Sequence, residues 1–233
     1  MAQENEKFVK VAHRGASGYE PENTLAAFKK AIDLGANMIE LDVRVCKSRE
    51  VVVIHDSSVD RVTNGHGSVE GMTLTELKGL EMQKGERIPT LEEVLDFMDK
   101  KAKINIELKG KKTAWPVSRI IDRYVEEKGW SYDDFIVSSF RHDELWKIRF
   151  FSWNVKIGVL SEAMPPIEFF SFVKAIGAYS VNVPINRIDE KFVKEAHEKG
   201  LKVYVFTAND SPEIEKAKQI GADYICSNYP DKI

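Results

Sequence analysis

Cysteine is scarce in this chain, which has two among its 233 residues. Cys46 and Cys226 stand far apart with no CxxC spacing, so we expect two buried thiols in a reducing compartment rather than a disulfide or a zinc site. Long apolar runs are also missing. No stretch approaches the roughly 18 apolar residues of a membrane helix, and residues 1–7 lack the apolar part of a secretory signal. These absences predict a cytoplasmic protein without stable membrane association.

An excess of positive charge is absent too. Lysine and arginine number 34 against 37 acidic residues, which gives a formal net charge of -3. Nucleic-acid binding through overall charge is therefore not expected. What the chain does have is a hydrophobic fraction of 43%, which at this length suffices for one large core. We expect a single domain over residues 1–233.

Short β-branched runs alternate with amphipathic stretches along the whole chain, and this alternation predicts repeated strand–helix units. Strands are predicted at 8–13, 38–45, 51–55, 103–109, 135–139, 155–160, 179–183, 202–207 and 224–227. Helices are predicted at 23–34, 90–101, 115–128, 141–151, 166–176, 189–199 and 211–220. About eight such units indicate an α/β protein with a closed (β/α)8 TIM-type barrel. An open doubly wound sheet is the alternative, although no GxGxxG turn follows the first strand.

Two segments depart from a regular barrel. Residues 57–87 are too many for an ordinary strand–helix loop, so we interpret them as a small insertion after the second strand region, over the barrel mouth. The chain continues for only six residues beyond the strand predicted at 224–227, so the last barrel helix is expected to be missing or vestigial. A second copy of the chain could cover the exposed barrel edge, so a homo-oligomer is possible.

The polar faces of two predicted strands carry carboxylates. Glu40 and Asp42 alternate with apolar residues, and so does Glu107 further along. In a barrel the helices cover the apolar face, so the carboxylates would point inward and converge. Such a cluster needs a compensating cation, and its oxygen ligands suit Mg²⁺ or Ca²⁺, with Mn²⁺ as a further candidate. An ion-pair network with Arg14 and Lys109 is the structural alternative.

Two histidines end predicted strands beside these carboxylates, namely His13 and His55. The C-terminal ends of barrel strands form the rim where barrel enzymes keep their active sites. Because a histidine titrates near neutrality, two of them can remove one proton and donate another. Residues and spacing together therefore favour acid–base chemistry beside a divalent cation.

With these residues, the chain resembles the glycerophosphodiester phosphodiesterase family over nearly its whole length. The matching motifs are His13-Arg14-Gly15, Pro21-Glu22-Asn23-Thr24 with Ala27-Phe28, Gly35-Ala36, Glu40-Leu41-Asp42-Val43, Val53-Ile54-His55-Asp56, Asp60-Arg61-Val62-Thr63-Asn64-Gly65, Ile88-Pro89-Thr90-Leu91-Glu92-Glu93-Val94-Leu95, Asn105-Ile106-Glu107-Leu108-Lys109, Ser139-Phe140 and Gly221-Ala222-Asp223-Tyr224-Ile225. Each motif is weak alone, and their order and spacing together are specific.

The resemblance implies a (β/α)8 barrel that hydrolyses glycerophosphodiesters to glycerol 3-phosphate and an alcohol, as a metal-binding hydrolase of lipid and glycerol metabolism. The small-molecule substrate of such an enzyme would bind beside an acid–base pair, a metal site and phosphate ligands. By matching motif these are His13 and His55 for catalysis, Glu40, Asp42 and Glu107 for one divalent cation, and Arg14 and Lys109 for phosphate oxygens.

One position departs from the family. Its members usually carry a tryptophan in a Trp-Thr-x-Asn context, and here Phe206 stands in Phe206-Thr207-Ala208-Asn209. An aromatic wall for the glycerol or alcohol group would remain, but the preferred alcohol is open. Neither the assignment of base and acid to the two histidines nor the physiological metal follows from the sequence.

Three other functions remain. A phospholipase-type diesterase, similar to a lysophospholipase D, ranks second because no amphipathic basic helix or exposed aromatic run is evident. An aldolase with Lys109 as a Schiff base is disfavoured, since Glu107 and a metal would keep that lysine charged. A non-catalytic phosphodiester-binding barrel is disfavoured because all the catalytic positions are present.

Overall fold

The structure is a computed structural model that describes residues 8–162 and 167–233. Its strands are β1 (Val9–His13), β2 (Met38–Val45), β3 (Val51–Val53), β4 (Lys103–Leu108), β5 (Phe135–Ser139), β6 (Lys156–Leu160), β7 (Ser180–Pro184), β8 (Lys202–Phe206) and β9 (Tyr224–Ser227). Its helices are α1 (Leu25–Asp33), α2 (Leu74–Gly79), α3 (Leu91–Met98), α4 (Ala114–Lys128), α5 (His142–Phe151), α6 (Ile167–Ala175), α7 (Glu190–Glu198) and α8 (Ser211–Gln219). The predicted start of the sixth helix at Pro166 and the predicted lack of a secretory signal in residues 1–7 lie outside the described residues.

Within the described chain, eight strands form a closed parallel barrel. Strand β1 pairs in parallel with both β2 and β9, which closes the ring, and the order continues through β8, β7, β6, β5 and β4 back to β2. Strand β3 lies outside this ring because the turn after β2 folds it back antiparallel onto β2. The predicted TIM-type barrel is confirmed, while the strand predicted at 51–55 is a shorter hairpin partner.

The two faces of the barrel strands differ as the alternation predicts. Ile39, Leu41 and Val43 of β2 are buried in the main apolar cluster, which also contains residues of the surrounding helices. Glu40 and Asp42 share the opposite, inward face with Met38. A separate cluster fills the barrel on this inward face, below the carboxylates; its buried members are Val11, Met38, Ile136, Tyr204, Tyr224 and Cys226. Both cysteines are buried and free.

The insertion at 57–87 has a small core of its own. Isolated bridges join Ser58 to Ser68 and Thr63 to Met82, and helix α2 follows with a capping box at Thr73. A second apolar cluster holds the segment against the β2–β3 hairpin; its buried members are Cys46, Val52, Ile54, Val59, Val69, Leu77, Met82 and Ile88. The insertion is therefore a compact unit that packs beside the barrel rim.

After β9 the described chain forms only a 3-10 turn, Pro230–Lys232. No full helix follows the eighth barrel strand in this described part, as the sequence predicts. The side chain of Ile233 is buried in the main apolar cluster. The C-terminal turn therefore packs against the barrel and covers part of the apolar surface beside β1.

Several large aromatic side chains are exposed on one side of the barrel, on α4, on α5 and just after α5. They are Trp115, Trp146, Phe150, Phe151 and Trp153. The prediction that the protein has no exposed aromatic run is thus wrong, because α5 directs apolar residues both inward and outward. Among the helices of the described residues, none has the length and apolar character needed to cross a membrane.

Candidate active site

Strand register brings three carboxylates to one place inside the barrel. Asp42 of β2 lies opposite Glu107 of β4, and Glu40 lies two residues before Asp42 on the same face. One oxygen from each of these side chains lies within 4.8 Å of the others. Glu40 and Asp42 are 3% and 1% exposed, and Glu40 Oε1 and Asp42 Oδ1 have no hydrogen-bond partner. Buried carboxylate oxygens without a donor need a partner, and a cation can supply it.

The electrostatics of the cluster support this interpretation. Burial, together with the charges of Asp42 and Glu107, raises the pKa of Glu40 well above its usual range. Burial and the charge of Asp42 raise the pKa of Glu107 to about 7. Glu40 and Glu107 therefore resist ionising unless a positive charge lies beside them. A hard divalent cation with oxygen ligands fits that requirement.

Two basic side chains flank the carboxylates. The backbone N–H of Arg14 donates to Glu40 Oε2 at 2.9 Å, and its Nε lies 3.2 Å from Asp42 Oδ2. Lys109 Nζ donates to Glu107 Oε1 at 2.8 Å and lies 3.9 Å from Asp42 Oδ1. Despite these contacts, Glu40 Oε1 and Asp42 Oδ1 still lack a hydrogen-bond donor, so the internal ion pairs do not satisfy the cluster by themselves.

His13 ends β1 next to the carboxylates. Its Nδ1 donates to the amide oxygen of Asn228 at 2.6 Å, and its Nε2 lies 4.0 Å from Glu40 Oε2. Burial and the charge of Arg14 lower the pKa of His13 to about 4. The imidazole is therefore neutral at pH 7, with Nε2 free to accept a proton.

His55 lies two residues past β3 and faces the same rim. Its carbonyl accepts from Arg44 Nε at 2.9 Å, and its Nδ1 lies 2.6 Å from Asp56 Oδ1. The hydrogen bond from Arg61 holds the pKa of Asp56 well below its usual range, so Asp56 can only accept and His55 Nδ1 donates. Burial lowers the pKa of His55. With Nδ1 donating to Asp56, Nε2 is the ring nitrogen left to exchange a proton with a substrate.

An aromatic pair borders Lys109. Phe206 is the last residue of β8, and its ring meets that of Phe140 edge to face at 6.0 Å. Lys109 Nζ lies 5.7 Å from the centre of the Phe140 ring. The pair offers an apolar wall beside the cationic groups. All eight residues predicted for the site thus lie at the same end of the barrel.

Several residues that hold the site in place were not predicted from the sequence. Asn23 donates to Asp42 Oδ2 through its amide at 2.9 Å and accepts from the backbone N–H of Asp42 at 3.2 Å. Glu22 accepts from Arg14 Nη1 at 3.0 Å. Glu22 and Asn23 do lie in a matching motif, which is a signal that could have found them. Asn228, the partner of His13, gave no such signal because it merely follows the last strand.

The fold and the site together define a class of protein, the (β/α)8 barrel enzymes that carry their active site at the C-terminal rim. The model of the glycerophosphoryl diester phosphodiesterase family matches residues 13–232. The chain therefore belongs to the glycerophosphoryl diester phosphodiesterase family, whose members are phosphoric diester hydrolases.

Individual relatives agree with the family assignment. The glycerophosphodiester phosphodiesterase of Caldanaerobacter subterraneus subsp. tengcongensis is 36% identical over 236 residues, covering 97% of this chain and 96% of its own. A solved phosphodiesterase of Oleispira antarctica, in complex with the product sn-glycerol-3-phosphate, superimposes with a TM-score of 0.87 at 28% identity, covering 96% of this chain and 94% of that one. The solved glycerophosphodiester phosphodiesterase of Thermotoga maritima superimposes with a TM-score of 0.79 at 31% identity, and the match covers 96% of each chain.

Proposed function

We propose that this enzyme hydrolyses glycerophosphodiesters to glycerol 3-phosphate and an alcohol, using one divalent cation and two histidines. The observation that carries the proposal is the convergence of three carboxylates inside the barrel, with His13 and His55 at the same rim. The solved relative from Oleispira antarctica holds sn-glycerol-3-phosphate, which is the product expected here.

Glu40, Asp42 and Glu107 would hold the cation, because their oxygens converge and two of these oxygens lack donors. Mg²⁺ or Ca²⁺ suits this oxygen site best, with Mn²⁺ as a further candidate. When bound, the cation would stabilise negative charge on the phosphoryl oxygens.

Arg14 and Lys109 would orient the phosphate. Both lie beside the carboxylate cluster, so each can donate to a phosphoryl oxygen where charge develops. Phe206 and Phe140 would contact the apolar part of the glycerol or alcohol group. A planar guanidinium and a mobile ammonium differ in reach, so the two side chains need not bind the same oxygen.

In the proposed acid–base step, the Nε2 of one histidine takes the proton of the glycerol hydroxyl adjacent to the ester. The hydroxyl oxygen attacks phosphorus within the same molecule, which is favoured by an effective molarity of about 10^5 to 10^8 M. The other histidine, which carries a proton on Nε2 once the anionic phosphate lies beside it, gives that proton to the departing alcohol oxygen. Water then opens the cyclic phosphate to glycerol 3-phosphate. The proposal does not assign the two roles to His13 and His55.

The test measures release of glycerol 3-phosphate from glycerophosphocholine and glycerophosphoethanolamine. The enzyme is treated with EDTA, and Mg²⁺, Ca²⁺ or Mn²⁺ is then restored in separate reactions. We expect release only after a cation is restored. Release that continues fully in EDTA would contradict the metal requirement, and no release with any cation would contradict the substrate.

A second substrate class has one observation in its favour. The exposed aromatic residues around α5 provide an apolar surface of a kind that soluble substrates do not require. Lysophospholipids are therefore the next candidate substrates. Release of choline from lysophosphatidylcholine at a rate comparable to that from glycerophosphocholine would support this class, and its absence would leave the soluble diesters.

A further inference from the structure

Arg61 lies in the insertion, outside the barrel, and its guanidinium binds two carboxylates at once. Nη1 and Nη2 donate to the two oxygens of Glu22 at 2.9 and 2.7 Å, and Nε donates to Asp56 Oδ2 at 2.6 Å. Three of its donor atoms are thus used in one planar arrangement. The side chain is 50% exposed, so the contacts are made at the surface of the rim.

Both carboxylates also hold a residue of the site. Glu22 accepts from Arg14 Nη1 at 3.0 Å, and Asp56 accepts from His55 Nδ1 at 2.6 Å. Arg61 is therefore the common partner of two separate links. One runs through Glu22 to the proposed phosphate ligand Arg14, and the other runs through Asp56 to the proposed acid–base residue His55.

An exposed ion pair contributes little to stability by itself. This arrangement differs because the Arg61–Glu22 contact is bidentate and both carboxylates are held from a second side. Arg61 and Arg14 also hold the pKa of Glu22 below its usual range although burial raises it, so Glu22 stays an acceptor. These contacts therefore matter more for the orientation of the site than for the stability of the protein.

We propose that Arg61 is a positioning residue for the reaction, through which the insertion sets the orientation of Arg14 and His55. The proposal rests on the proposed function of those two residues. In this view the insertion is part of the active site. Without Arg61, Asp56 would lose the donor that keeps it facing His55, and Glu22 would be free to turn away from Arg14.

The expected effect is on turnover rather than on metal binding. Arg61 makes no hydrogen bond or ion pair with Glu40, Asp42 or Glu107 in the described residues, so the cation site should be unchanged. A misplacement of about 1 Å in a catalytic group can cost on the order of 100-fold in rate. We expect Arg61→Ala to lower kcat for glycerophosphocholine by about 10- to 100-fold.

The test compares Arg61→Ala with Arg87→Ala. Arg87 is a matched control, since it lies in the same insertion, is similarly exposed and, among the described residues, has polar contacts only with Glu81 and two backbone carbonyls. We expect Arg87→Ala to keep kcat within two-fold of the parent. Calorimetric titration with Mg²⁺ should give the same affinity for both variants and the parent. The proposal would be overturned if the kcat of Arg61→Ala stayed within two-fold of the kcat of the parent.

Rescue separates positioning from a merely structural effect. Guanidinium chloride at millimolar concentration can occupy the place of the deleted side chain and should restore part of the kcat of Arg61→Ala, but not that of His55→Ala. Arg61→Lys serves if Arg61→Ala does not fold, and it should lose kcat because an ammonium cannot form the bidentate contact. A loss that tracks only thermal stability, with no rescue, would contradict positioning.

The outcomes distinguish this proposal from the proposed function. If the parent enzyme releases no glycerol 3-phosphate with any cation, the proposed function fails. If the parent is active and Arg61→Ala matches Arg87→Ala, the function stands and only the positioning role of Arg61 is wrong.

Discussion

At the scale of single residues, the site combines groups whose protonation is set by their surroundings. Burial moves the pKa values of carboxylates up and those of histidines down, and both changes remove charge. Glu107 and His13 show the two directions within one site, at about 7 and about 4. In the metal-free protein, Glu107 and His13 therefore favour their neutral forms.

Glu107 provides a test of this state through stability. A carboxyl whose pKa is raised on folding binds more protons folded than unfolded between its two pKa values, so it makes stability fall as pH rises through that window. For Glu107 the window runs from about 4.5 to about 7. We expect metal-free Glu107→Gln to be more stable than the parent at pH 8, by up to about 3 kcal/mol, with little difference at pH 5.

Chemical unfolding of both proteins in EDTA at the two pH values measures this difference. Histidine titration is common to both proteins and cancels in the comparison. A stability difference that is the same at pH 5 and pH 8 would show that Glu107 is not the titrating group.

The histidines are tested by activity. His13→Ala and His55→Ala should each lose on the order of 10^2 to 10^4 in kcat with unchanged circular dichroism, because each removes one proton-transfer group. His66→Ala is the control, since His66 lies exposed in the insertion and pairs with Asp60, away from the carboxylate cluster. Near-normal turnover in both active-site variants would mean that the acid–base assignment is wrong.

At the scale of elements, loops at the rim decide where the side chains of the site stand. The loop from β1 to α1 carries Arg14 and Gly15 in the left-handed region, with φ of 55° and 79°. A Cβ on Gly15 would lie 2.7 Å from the backbone of Ala27, so this loop touches helix α1 directly. Glycine is needed there for both its φ and its lack of a side chain.

A pair of glycine substitutions separates these two requirements. Gly35 has the same φ of 79°, but nothing lies within 4 Å of its ideal Cβ. Gly35→Ala should cost about 1 kcal/mol from the backbone alone. Gly15→Ala should cost more, about 2–4 kcal/mol, and should also lower kcat because Arg14 precedes it. Equal losses of stability in thermal unfolding would contradict the clash with α1.

The elements themselves follow largely from local sequence. Thr90 caps α3 with a capping box, and Thr24 caps α1. Strand β3 is the exception. Its β-branched run predicts a strand correctly, but its antiparallel pairing with β2 comes from the tight turn between Cys46 and Glu50, which the alternation of apolar residues does not encode.

At the scale of the whole molecule, the barrel and the insertion have separate apolar cores. Leu77 is fully buried in the insertion, and Leu145 is fully buried in the barrel. Leu77→Ala should cost about 2–5 kcal/mol locally and raise amide exchange in residues 57–87 while the barrel strands stay protected. Since Arg61 lies in that segment, kcat should fall as well.

Leu145→Ala is the matched control and should instead raise exchange in the barrel strands. Exchange measured by mass spectrometry on both variants distinguishes the cases. Uniform loss of protection in Leu77→Ala would show that insertion and barrel unfold as one unit.

Three expectations from the sequence remain predictions. They are the placement of all 233 residues in one domain, the location in the cytoplasm and the formation of a homo-oligomer.

The sequence by itself determined the barrel, the carboxylates and the histidines. These depend on local alternation and on motif spacing, and the C-terminal ends of parallel strands meet at one rim whatever the packing details. Tertiary structure alone decided the partners. Asn228 reaches His13 and Arg61 reaches Glu22 across long sequence separations, because barrel closure and the folded insertion bring distant loops together. Such contacts depend on geometry that no local pattern contains.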